Sequence, residues 1–169
     1  MRKPYHASLV IGTQWPHARL HRMNLPIVIF ALHVGCTLYM TGLIWFVQLV
    51  HYPLMGSVGA DGYTEYQQAH MRRTTWAVAP AMLGEVGTSI ALLFLPLPIF
   101  PLELAFGGIA LIALIWISTA SLQVPSHSAL LRGFDSDAHR KLVRSNWIRT
   151  IAWTARSVLL LYVLADALG

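Results

Sequence analysis

The chain has 169 residues, of which 56% are hydrophobic and only 11% charged, against roughly a quarter charged in an ordinary soluble domain. So little charge cannot cover a water-soluble fold of this size, whereas surface facing lipid needs none. The formal charge of +5 rests on ten Arg and two Lys against seven acids; the basic residues fall in short blocks between apolar runs, which excludes nucleic acid and makes the anionic headgroups of a lipid bilayer the default partner.

Residues 1–22 carry Pro4, Pro16 and scattered His and Arg without periodicity, and Met23 opens a clean apolar run. Residues 1–22 are therefore expected to be a loose N-terminal tail, or an extension ahead of a start at Met23. Residues 23–169 form the transmembrane domain. Four apolar segments follow, at about 25–50, 75–95, 102–122 and 147–168, each near the ~20 residues that cross a ~30 Å hydrocarbon core at about 1.5 Å per residue. Pro96, Pro98 and Pro101 read as a tight turn between the second and third. The other two connections, 52–74 and 124–146, are long and polar, each ending in a helical stretch that runs into the next span. The expected fold class is all-α, an integral membrane four-helix bundle. The single Cys36 excludes an intrachain disulfide and reads as a small packing residue.

A faint repeat runs through the chain. Leu43-Ile44-Trp45 recurs as Leu114-Ile115-Trp116, Pro53 matches Pro125, and Arg73-x-x-Trp76 matches Arg144-x-x-Trp147. The matches point to two helix–loop–helix units, although apolar sequence also produces such matches by chance. Arg72, Arg73, Arg132, Arg140, Lys141, Arg144 and Arg149 all fall in or next to the two long loops. If the tail is set aside, those loops are expected to be cytoplasmic, in a bacterial inner membrane.

Polar residues within spans are costly and mark sites. On the first span His33, Thr37, Thr41, Gln48 and His51 share one helical stripe, and on the fourth Asn146, Arg149, Trp153 and Arg156 share another. Glu85 and Arg156 fall at nearly the same depth, roughly 15 Å in, which predicts a mid-membrane ion pair. The pair would set helix register or take part in proton or substrate chemistry. Glu85, Arg149 and Arg156 are the candidate catalytic groups. His33, His51, Gln48, Asn146 and Trp153 are the candidate cofactor-binding groups. At the loop-side mouth His51, His70, His127 and His139 could together ligate a metal, line a pocket for an anionic headgroup or substrate, or simply populate the interface. No local His-x-x-His or His-Glu-x-x-His spacing supports the metal.

The stretch from Ala31-Leu32-His33 through Gly42-Leu43-Ile44-Trp45 to His51-Tyr52-Pro53, followed by His70-Met71-Arg72-Arg73 and Val78-Ala79-Pro80, resembles the membrane-bound protoporphyrinogen IX oxidase family of small helical proteins carrying haem b. That resemblance implies His33 as a haem ligand. It departs where those helices carry an intramembrane Lys, since none of the four apolar segments here contains one. The second half does not follow the family, and is more similar to small bacterial membrane proteins without an assigned activity. The expected function is a membrane oxidoreductase using haem b, a His-ligated metal or a quinone-like ligand, with Arg149 and Arg156 holding an anionic or carbonyl group. The alternatives are an accessory or assembly subunit of a larger membrane complex or homo-oligomer, and a small transporter.

Overall fold

The computed structural model describes residues 25–169; the expected tail at 1–22 and the alternative start at Met23 lie outside them. Four helices follow in order, α1 (Leu25–Met55), α2 (Tyr63–Phe94), α3 (Leu102–Leu130) and α4 (Ser136–Leu168), each long and apolar enough to cross a membrane. The described residues contain no strand. The protein is an all-α four-helix bundle built for a bilayer.

The helices outrun the expected spans, so irregular chain shrinks to 56–62 and 131–135 on one side of the bundle and 95–101 on the other. The reason lies at two prolines. A proline inside a helix ordinarily breaks it, but Pro53 and Pro125 each follow a π-helical turn, Val47–His51 and Thr119–Gln123. There the Tyr52 N–H reaches back to the Val47 carbonyl and the Val124 N–H to the Thr119 carbonyl. The wider turn moves the carbonyls out of the register in which a proline ring would strike them, and the helix continues.

Around the bundle α1 packs on α2, α2 on α3, α3 on α4 and α4 on α1, while across each diagonal the backbones stand apart and only side chains meet. This ring agrees with the repeat. The π-helical turns stand 72 positions apart, as do Pro53 and Pro125, and Glu85 and Arg156 occupy positions 71 apart, matching the Trp76 and Trp147 offset. Each loop between the paired helices also holds a left-handed glycine, Gly62 at φ +90° and Gly133 at φ +127°, a backbone that side chains with a Cβ rarely adopt.

Polarity is turned inside out relative to a soluble bundle. Phe94, Phe106, Ile117 and Tyr162 face outward, while His33, Gln48, Glu85, Asn146, Arg149 and Arg156 are buried. Apolar residues outside meet lipid at no cost, and the polar ones must satisfy each other within.

Asp135 caps α4, its carboxylate accepting from the Ala138 and Asp137 N–H groups. Those two bonds, Ala138 first, hold its pKa below the usual aspartate value. A depressed carboxyl stabilises fully above its unfolded pKa and less as pH falls through the folded one. Asp135→Ala should therefore speed amide exchange in the first turn of α4 at neutral pH, with wild type converging on the variant in acid. Equal exchange at neutral pH would show that the cap does not hold this turn.

Candidate functional site

Midway along the bundle the expected ion pair is present. Arg156 Nη2 lies 3.3 Å from Glu85 Oε1, with both side chains buried. Glu85 is a fully supplied acceptor: Thr37 donates to Oε1 at 2.8 Å, Arg156 Nε to Oε1 at 3.3 Å, and Trp153 Nε1 to Oε2 at 2.9 Å. Arg156 also donates to the Gly108 carbonyl, to Thr37 Oγ1 and to His33 Nε2. All four helices therefore contribute at this level, α1 and α4 with two residues each. A Cβ at Gly108 would stand 3.5 Å from Arg156 Nη1, an ordinary van der Waals contact, so it is the backbone carbonyl of this residue and not its missing side chain that serves the guanidinium.

The tautomer of His33 follows from its partners. Arginine only donates, so Nε2 facing Arg156 is the acceptor and Nδ1 carries the proton. Nδ1–H donates to Thr88 Oγ1 at 2.8 Å, and Thr88 passes its own proton to the Gly84 carbonyl at 2.6 Å. Both ring nitrogens are thus engaged. The cavity beside them, walled by His33, Phe100, Gly108 and Arg156, measures about 10 Å³, room for roughly one water. These residues do not fit an axial haem ligand.

Two helical turns closer to the loops, Arg149 sits in different company. Its Nε and Nη2 donate to Asn146 Oδ1, Nη2 also to Tyr52 Oη at 3.3 Å, and Nη1 to Thr119 Oγ1 at 3.4 Å. Asn146 is oriented from behind, its amide donating to Gln48 Oε1 at 2.8 Å while Gln48 donates to the Val143 carbonyl at 3.2 Å. All seven acids of the sequence lie among the described residues, and none makes an ion pair with Arg149. Arg149 is 8% exposed as a residue, and its guanidinium uses four of its five N–H groups on neutral oxygens.

Arg149 borders a cavity of about 160 Å³. Tyr52, His70, Thr119, Gln123 and His127 share its polar end, and Met40, Ile44, Val47, Met82 and Trp153 supply apolar walls. His127 pairs with Tyr52 Oη at 3.0 Å and with Gln67 Nε2 at 3.0 Å. His51 Nε2 pairs with His70 Nδ1 at 2.9 Å, their rings stacked at 4.6 Å.

The expected site residues divide between these two places. Glu85, Arg156 and His33 form the central knot, and Trp153 joins it to the cavity wall. Gln48 and Asn146 stand behind Arg149 rather than in the cavity, and His51 touches it only through His70. The four-histidine metal arrangement is not assembled: among the described residues no three His, Cys, Asp or Glu side chains gather as a metal site. His139 instead faces the Tyr52 carbonyl at 2.7 Å and packs over Gly56. Gln67 escaped the sequence reading, although its place three residues before His70 puts both on one helix face. The Gly108 carbonyl carries no side-chain signal and could be found only from the fold.

Neutralising either member of the central pair leaves a buried charge alone, which costs on the order of 3–5 kcal/mol. Glu85→Gln or Arg156→Gln should each destabilise the bundle by about that much in detergent-titration unfolding, and the double variant should be milder than either. Losses that add across the cycle would dissolve the pair as an energetic unit. Compared with known proteins, the chain matches no family model, no curated protein sequence and no solved structure.

Proposed function

We propose that the protein binds a small amphiphile within the bilayer, seating an anionic head on Arg149 at the polar end of the loop-side cavity. One observation carries this reading: Arg149 is a buried cation without an anionic partner among the described residues, with one donor left over at the edge of a cavity. An arginine at the centre of a membrane helix costs about 2.5–3.5 kcal/mol on insertion scales, and less toward the interface. Arg156 meets that cost with Glu85. Arg149 is held in place by Asn146, Tyr52 and Thr119, none of which cancels its charge. A carboxylate or phosphate would supply the missing charge and accept a charge-assisted hydrogen bond. The cavity of about 160 Å³ accommodates such a head with its first few methylenes.

A quinone-type head is the second reading, and it would make the protein a membrane oxidoreductase. It is favoured by the Tyr52–His127 and His51–His70 pairs at the same end of the cavity, groups suited to donating protons to a reduced ring. For orientation, the loop side carries Arg72, Arg73, Arg132, Arg140, Lys141 and Arg144, whereas the 95–101 turn carries no Lys or Arg. That asymmetry supports loops facing the cytoplasm across a bacterial inner membrane.

Binding of decanoate and of a decyl-substituted benzoquinone to nanodisc-held protein tests both readings. Arg149→Gln should weaken decanoate by about 10- to 150-fold, the worth of roughly 1.5–3 kcal/mol in one hydrogen bond to a charged group, and Arg149→Lys should restore part of it. Affinities unchanged by Arg149→Gln would overturn the site. Preference for the quinone over decanoate would select the second reading.

A further inference from the structure

The cavity at Arg149 is covered on its loop side and opens at the side of the bundle. On its loop side stand Met55, Tyr63, Leu130 and Leu142, all fully buried, together with the Tyr52–His127–Gln67 hydrogen-bonded layer. Its floor is Trp153, tied to Glu85. Of the residues that wall the cavity, only two are exposed, Thr75 on α2 and Val124 on α3. The opening therefore lies in the seam between those two helices.

The repeat supplies an internal comparison for that seam. The equivalent contact is α1 against α4, where Trp45 and Trp147 meet edge to face at 5.6 Å and Trp45 Nε1 donates to Thr154 at 3.0 Å. Gln48 and Asn146 add a second tie across it. The counterparts of the two tryptophans are Trp116 on α3 and Trp76 on α2, each 71 positions away. Trp76 stands 78% exposed, and among the described residues no ring contact joins it to Trp116. The counterpart of Thr154 is Leu83, which has no hydroxyl to accept from an indole. The α3–α4 seam, by contrast, is tied by Gln123 to Ser145 and by Arg149 to Thr119, and the α1–α2 seam by Tyr39 to the Ala77 carbonyl. Between α2 and α3 the side-chain tie is Gln67 to His127 at the loop end, and below it the seam lacks the aromatic latch of its twin.

We infer that the α2–α3 seam is a lateral portal, and that the ligand is a single-chain amphiphile which reaches Arg149 from the bilayer and leaves its tail between the two helices. This rests on the reading of Arg149 as the head-group site, and it adds the class of ligand and the route. A water-soluble anion of the same head chemistry has no path through the buried loop-side layer. A hydrocarbon chain meets Met71, Val78 and Val124 along the seam and continues into lipid without crossing a polar surface.

The test begins with unaltered protein in nanodiscs and a decanoate analogue bearing a diazirine in its tail. Photolysis should label Met71, Thr75, Val78 or Val124, and excess decanoate should suppress that labelling whereas acetate should not. A second measurement bridges Trp76→Cys to Trp116→Cys, in a Cys36→Ser background, with a short bifunctional maleimide. Bridging should slow decanoate association at least tenfold, while the same bridge between Trp45→Cys and Trp147→Cys should leave the rate unchanged. Saturable labelling at the α1–α4 seam, or an association rate indifferent to the α2–α3 bridge, would overturn the portal even if Arg149→Gln still weakens binding. Competition by acetate equal to that by decanoate would overturn the tail requirement. Affinity unchanged in Arg149→Gln would instead fault the head-group site itself.

Discussion

The bundle depends on the ion pair between Glu85 and Arg156, made by side chains alone across a diagonal where the helix backbones stand apart. In a bilayer, apolar side chains gain little by leaving lipid for protein, so helix choice and register fall to close packing and polar ties. Here α2 and α4 face each other over the axis without backbone contact, and two long charged side chains fill the space. Thr37 and His33 come from α1 and the Gly108 carbonyl from α3. Sliding α2 or α4 by one turn, about 5.4 Å, would strand a charge in a medium that cannot solvate it, and sliding α1 or α3 would strip that charge of its neutral partners.

Seven residues along the same helix, Arg149 faces the same problem with a different outcome. Asn146, Gln48 and the Val143 carbonyl form a line of amides that orients the guanidinium without neutralising it. Two arginines on one face, one compensated and one not, separate the part of the interior that builds the fold from the part that is left to recognise something else. The π-helical turns lie at the level of the second part. They displace the helix by one residue where Gln48, His51, Thr119 and Gln123 must turn inward, a common use of such turns near functional sites.

Much of this was legible in the chain. Spacing of polar residues put His33, Thr37 and Gln48 on one stripe and Arg149, Trp153 and Arg156 on another, and depth counting paired Glu85 with Arg156. The helix ends were less legible: the apolar segments stop near 50 and 122, and no sequence rule signals that a π-helical turn will carry the helix on through Pro53 and Pro125. The histidines misled for another reason. His51, His70, His127 and His139 share a level in the bundle, but level does not decide direction, and His139 points to a backbone carbonyl. The Gly108 carbonyl and the opening of the α2–α3 seam depend on how helices lie against one another, which no single helix records.

The repeat places Glu85 and Arg156 at equivalent positions of its two halves, and this has a consequence for assembly. Two copies of the first half alone would set carboxylate against carboxylate on the axis, and two copies of the second would set guanidinium against guanidinium. Like charges at that depth repel with nothing to screen them. Two carboxylates would relieve that repulsion only by taking up a proton, and two guanidiniums cannot shed one, so each half keeps its charge only beside the other. The chain carries its own partner choice, written in one charge per half.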